Sequence, residues 1–104
     1  MCGKNMSKLK KEIIIDLSAE RSLYGFYLLL IKKLELPDYT GLTLDGMSDF
    51  LREPWEEDRN VDFINASKAS KAVRLKMNTV TEMFEYVKEF QKQCGNEFTW
   101  SIEY

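Results

Sequence analysis

A chain of 104 residues, 44% hydrophobic and 12% aromatic, has the apolar content for one packed core, which argues against disorder and against several domains. Its formal net charge is −2 and it contains no histidine. That absence removes the usual general base, the serine–histidine and cysteine–histidine nucleophile pairs, and most zinc sites.

The first residues, MCGKNMSKLKK, are polar, with no apolar stretch behind their positive charges, so no secretory signal is expected. No apolar run is long enough to span a membrane. Residues 1–10 are expected to form a flexible tail and residues 11–104 a single domain, with the cytoplasm as the default location. Cys2 and Cys94 make no disulfide framework and read as ordinary reduced thiols.

EIIIDL, residues 12–17, is a β-branched run bounded by polar residues and predicts a buried strand. Ser22 is placed to cap a helix whose stripe is Leu23, Phe26, Tyr27, Leu30, Ile31 and Leu34. Lys32 and Lys33 suit its C-terminal end, and Pro37 stops it. Thr43 predicts the N-cap of a shorter helix reaching Leu51, with Leu44, Met47 and Leu51 as its buried stripe. REPWEEDRN reads as an irregular acidic connection, and VDFINA, residues 61–66, as a second strand. SKASKAVRLKM, residues 67–77, reads as a loop with one short helix. Thr79 and Glu82 match a capping box, so the last helix is expected to begin there and to end at Gly95. FTWSIEY alternates, placing Phe98, Trp100, Ile102 and Tyr104 on one face of a third strand. This order of elements points to an α/β fold, a small three-stranded parallel sheet packed against helices through right-handed crossovers.

The charge is unevenly spread. Residues 1–36 carry a net +3, residues 37–62 a net −6, and residues 63–104 a net +1. An acidic segment of that density repels nucleic acid and attracts basic partners. Within it, Asp45 and Asp49 stand four residues apart, hence on one helical face roughly 6 Å from each other. As an acid–base pair they lack a pocket that would tune them apart, and as a metal site they lack the D-x-D-x-D-G pattern of a calcium loop. The turn DLSAERS after the first strand has no glycine-rich phosphate cradle. Neither a catalytic residue, a cofactor nor a metal is expected.

Leu36-Pro37-Asp38-Tyr39-Thr40-Gly41, followed by Leu44-Asp45, Asp49 and Leu51, resembles the most recognisable segment of the barstar family of intracellular ribonuclease inhibitors. The match is dense over this segment and architectural elsewhere. The resemblance implies a barstar-like fold and an inhibitor that blocks the active site of a basic ribonuclease or nuclease toxin with an acidic helix. Such a protein would be a cytoplasmic immunity factor, monomeric when free, with no direct contact to nucleic acid or membrane. The alternative is a protein-interaction module on the same fold whose target is not a nuclease.

Carried over to this chain, the resemblance implies ionic contacts from Asp45 and Asp49, an aromatic contact from Tyr39, and close backbone approach at Gly41. Leu44 and Ser48 complete the helix portion of that contact set. Trp55 in the acidic connection and Glu82 near the start of the last helix, with Thr81 as the alternative there, extend it. Each has a plainer explanation. Asp45 could serve only the helix N-terminus, Asp49 could be a solvated acid, and Tyr39 could pack over the helix end. Gly41 could fill a special backbone angle, Trp55 could be a packing residue, and Glu82 could serve only its capping box. The segment also departs from the family pattern. Ser48 replaces a tryptophan, Thr40 replaces a second tyrosine, and Gly46 stands where alanine would favour the helix by roughly 1 kcal/mol. These departures imply a target other than barnase itself.

Overall fold

In the computed structural model, which describes residues 9–104, seven elements follow one another: β1 (Lys10–Asp16), α1 (Leu23–Lys33), α2 (Leu44–Leu51), β2 (Asp58–Ile64), a 3-10 turn (Ala66–Lys68), α3 (Lys71–Gln93) and β3 (Phe98–Ile102). The strands form one parallel sheet in the order β1-β2-β3. β1 pairs with β2 from Lys10↔Asp58 to Asp16↔Ile64, and β2 with β3 from Arg59↔Phe98 to Phe63↔Ile102.

Because both crossovers step in the same direction across the sheet, right-handed connections put all the helices on one face. That face is the core. Ile13 and Ile15 of β1, Val61 and Phe63 of β2, and Phe98 of β3 meet Phe26 and Leu30 of α1, Met47 and Leu51 of α2, and Val73, Val80, Phe84 and Val87 of α3. Phe84 sits at its centre, with ring centroids 5.9 Å from Phe63, 5.0 Å from Phe98 and 5.4 Å from Trp100.

No described helix covers the opposite face, which is unusual for parallel strands. Only alternate β1 residues are therefore buried, and Ile14 is 55% exposed, where a wholly buried strand was expected. Polar residues satisfy one another across this face. Asn60 donates to Glu12 at 3.1 Å and to Asp62 at 2.9 Å, Thr99 donates to Asn60 at 2.6 Å, and Ser101 donates to Asp62 at 2.8 Å.

Helix termini follow local chemistry. Ser22 and Thr43 cap α1 and α2 as expected, each hydroxyl accepting an amide hydrogen three residues on, at 3.1 and 3.0 Å. α1 and α3 both end in Schellman motifs. In α1 the Leu36 amide donates to Ile31 and the Glu35 amide to Lys32, and in α3 Asn96 donates to Gln91 and Gly95 to Lys92. The left-handed position is Gly95 (φ 85°) in α3, but Glu35 (φ 57°) in α1, where the carboxylate pairs with Lys11 of β1. α1 thus ends before Pro37, which follows the stop.

Several expected boundaries moved. β1 runs Lys10–Asp16 where residues 12–17 were expected, and the Asp58 amide donates to the Leu9 carbonyl. Residues 1–8, with Cys2, lie outside the described residues. β2 begins at Asp58, not Val61, because pairing with Lys10–Glu12 recruits Asp58, Arg59 and Asn60 despite their poor strand propensity. It stops before Asn65, which is left-handed (φ 60°). Residues 71–77, expected to be mostly loop, are the first two turns of α3, capped by Ser70 rather than by Thr79. Val73, Met77, Val80 and Phe84 form one uninterrupted buried stripe, so Thr79 and Glu82 lie inside the helix and make no capping box. Tyr104 lies beyond β3 and is exposed.

Three carboxyls are held below their usual range by partners that favour the charged form. These are Asp62, chiefly through Ser101 and then Asn60; Asp16, chiefly through Asn65; and Glu35, through Lys11. A group lowered in the folded state contributes stability above its unfolded pKa and loses it as pH falls through the folded value. Thermal stability should therefore hold from pH 7 to about 5 and fall below about pH 4. Asp62→Asn should flatten part of that fall in a Tm-against-pH series. An unchanged acid limb would mean that the outer-face ladder contributes nothing to it.

Candidate functional site

After the Schellman turn, Leu36-Pro37 leads into a tight turn closed by the Thr40 amide donating to the Pro37 carbonyl at 3.0 Å. Tyr39 stands at its tip, 80% exposed, with its ring edge-on to Phe50 of α2 at 5.5 Å. That contact leaves most of the ring to solvent.

Gly41 follows. Its φ is outside the left-handed region, and a Cβ added there would meet nothing within 4 Å. The special backbone angle considered from sequence is therefore not its reason for being glycine. Gly46 differs. A Cβ there would come 3.1 Å from the Thr43 hydroxyl that caps α2, so the expected advantage of alanine is offset by crowding at the cap.

α2 buries Leu44, Met47, Ser48 and Leu51 and turns Asp45 and Asp49 outward. Among the described residues no ion pair or hydrogen bond holds the Asp45 carboxylate. Thr43 alone caps the helix, and what remains for Asp45 within the chain is the favourable position beside the helix dipole. Asp49 is gripped by Arg52, whose Nη2 lies 3.1 Å from Oδ1. Asp38, Glu53 and Glu56 are exposed in the flanking segments.

The sequence-derived contact residues are thus partly brought together. Tyr39, Gly41, Asp45 and Asp49 share the surface formed by the turn and the outer side of α2. Leu44 and Ser48, at 9% and 8% exposure, face the core and offer a partner almost no area. Trp55 packs edge-on against Phe98 at 5.2 Å, with the Arg59 guanidinium 4.2 Å above its ring. Those contacts account for it as a packing residue. Glu82 is exposed midway along α3, between the level of Thr79, which lines a depression shared with Asp45, and that of Gln91, which meets the end of α2. The hydroxyl of Thr81 donates to the Asn78 carbonyl of its own helix at 2.9 Å.

Sequence reasoning missed what holds this face in place. Gln91, fully buried, donates to the carbonyls of Leu51 at 2.9 Å and Glu53 at 2.7 Å. Its own carbonyl oxygen accepts from Asn96 at 2.9 Å and from the Trp55 amide at 3.3 Å, and Asn96 donates to the Trp55 carbonyl at 2.8 Å. One side chain thus ties the end of α2 and the acidic connection to α3. The available signal was a glutamine on the buried stripe, one turn past Val87. No cluster of three potential metal ligands forms among the described residues.

The family model for barstar, described as the barnase inhibitor, matches residues 10–103. The chain belongs to the barstar family. The match runs from the first residue of β1 to just past β3, so it takes in the whole described barstar fold and not only the segment 36–51. The three-stranded parallel sheet with helices on one face is the α/β architecture expected from that resemblance. Barstar-family proteins are inhibitors rather than enzymes, and their described target, barnase, is a ribonuclease. A search of curated proteins returned no match to this chain. Among the described residues of this barstar-family member, no helix is long and apolar enough to cross a membrane.

Proposed function

We propose that this protein inhibits a basic ribonuclease or nuclease toxin by laying α2 and the turn before it over the enzyme's active site, protecting the cytoplasm of the cell that makes both. The observation that carries this reading is the exposed Asp45, whose carboxylate has no partner among the described residues, one turn from the exposed Asp49. A ribonuclease holds RNA phosphates with arginines and lysines, and two carboxylates on one helical face present the same negative oxygens to those cations. Tyr39 adds an exposed ring resting edge-on against Phe50, and Gly41 adds a stretch of main chain with no side chain to hold a partner away. With Leu44 and Ser48 turned inward and Trp55 engaged in packing, the contact set narrows to Tyr39, Gly41, Asp45 and Asp49, with Glu82 at its edge. The small, buried Ser48 leaves no large anchor at the centre of α2, which favours a target whose complementary surface differs from that of barnase.

The test is an RNA-cleavage titration against a panel of barnase-type ribonucleases, including any nuclease encoded beside this gene. Stoichiometric inhibition supports the reading. Gly41→Leu should then weaken inhibition by roughly 10- to 100-fold, the effect of about 1–3 kcal/mol of overpacking at a close contact. Its thermal stability should change little, since a Cβ at Gly41 meets nothing within 4 Å and its φ is outside the left-handed region. Loss of stability in that variant would return Gly41 to a conformational role. Binding without inhibition would favour an interaction module aimed at another kind of target.

A further inference from the structure

Residues 37–57 contain six acidic side chains and one basic one, Arg52, and that single cation is spent on Asp49. Arg52 is the C-cap residue of α2; its backbone amide donates to the Ser48 carbonyl, and its guanidinium reaches back one turn to Asp49 Oδ1. A cation suits a helix C-terminus, which would account for a basic residue at this position. The i,i+3 spacing brings the guanidinium to Asp49, and the carboxylate it pairs with is one of the two on the proposed docking face. Both partners of the pair are solvent-exposed, Arg52 by 44% and Asp49 by 72%, so the pair lies where an incoming protein would meet it.

We propose that Arg52 is a specificity residue that acts through Asp49 by discriminating against partners that are merely polycationic; this rests on the docking reading above. A carboxylate offers two oxygens and can accept both arms of a guanidinium at once. With Arg52 on Oδ1, an incoming cation has only the remaining oxygen, or must displace Arg52 and leave it beside its own positive charge. A partner that places a carboxylate next to its basic site receives the released guanidinium and loses nothing. A partner with positive charge alone meets repulsion. Asp45, which no ion pair holds among the described residues although Lys76 lines the same depression, provides attraction to all cationic partners, and Asp49 provides the discrimination.

A nona-arginine peptide, which has cations and no side-chain carboxylate, is the probe. Its affinity is measured by titration calorimetry at low salt for the wild-type chain, Arg52→Gln, Asp49→Asn and the double variant, with unfolding curves confirming that each is folded. Arg52→Gln should bind the peptide roughly two- to fivefold more tightly than wild type, the range open to an exposed ion pair. In the Asp49→Asn background the same change should give a much smaller gain. Equal gains in both backgrounds would show that Arg52 only alters overall charge, and no gain, or a loss, would show that it does not compete for Asp49; either result overturns the proposal. Arg52→Ala, which removes the stem as well, guards against a glutamine-specific effect. Wild-type inhibition of the ribonuclease panel is measured in parallel. Its absence would sink the docking reading, while the peptide arm would still decide whether Arg52 masks Asp49.

Discussion

Replacing both Asp45 and Asp49 with asparagine should weaken ribonuclease inhibition by roughly 10²- to 10⁴-fold while leaving the fold intact. Each asparagine keeps the shape of the side chain and removes its charge. A hydrogen bond to a charged group is worth about 1.5–3 kcal/mol, so losing two at a desolvated contact costs about 3–6 kcal/mol of binding. The folded protein should lose far less. Asp45 holds no partner among the described residues beyond its position near the helix dipole, worth roughly 0.3–1 kcal/mol, and the exposed Asp49–Arg52 pair contributes about 0–1 kcal/mol. Inhibition constants set beside thermal unfolding curves separate the two effects. Undiminished inhibition by a folded double variant would remove α2 from the docking face.

Gln91→Leu should lower stability by about 3 kcal/mol, a fall in Tm of roughly 12–24 °C for a domain of this size. Leucine occupies a similar volume, so no large cavity forms. What is lost is hydrogen bonding at the junction of α2, the acidic connection and β3. The Leu51 and Glu53 carbonyls lose their donor, and the Trp55 amide and Asn96 side chain lose an acceptor. Buried groups left without partners cost about 1–3 kcal/mol each, and water reaching the exposed Glu53 end limits the total. Chemical and thermal denaturation check the magnitude. A loss below about 1 kcal/mol would mean that water or rearranged side chains replace the glutamine. Inhibition by the folded fraction should also weaken, because the end of α2 is no longer tied to α3.

How much was legible in the chain depended on whether each signal was local. Ser22 and Thr43 were readable as caps because a capping hydroxyl bonds an amide only three residues away, and the stripes behind them were dense. The start of α3 was not. Lys71, Arg74, Lys76 and Asn78 dilute the apolar stripe of Val73, Met77 and Val80, and Thr79-x-x-Glu82 imitates a helix start inside a continuous helix. Asp58, Arg59 and Asn60 join β2 only because β1 lies alongside to pair with them, which no local propensity reveals.

The sequence by itself determined the class of molecule: an α/β fold without histidine chemistry, an acidic segment from residue 37 onward, and a run of residues resembling barstar. These rest on composition, spacing and residue identity, which exist before folding. Only the tertiary structure decided which of those residues face solvent. The packing of α2 against α3 turned Leu44 and Ser48 inward and Asp45 and Asp49 outward, the seating of Trp55 against Phe98 took it into the packing, and the turn left open space around Gly41. The physical reason is that a helix has a buried side only once another surface lies against it. Gln91, forty residues from Leu51 in the chain, fixes where that surface lies.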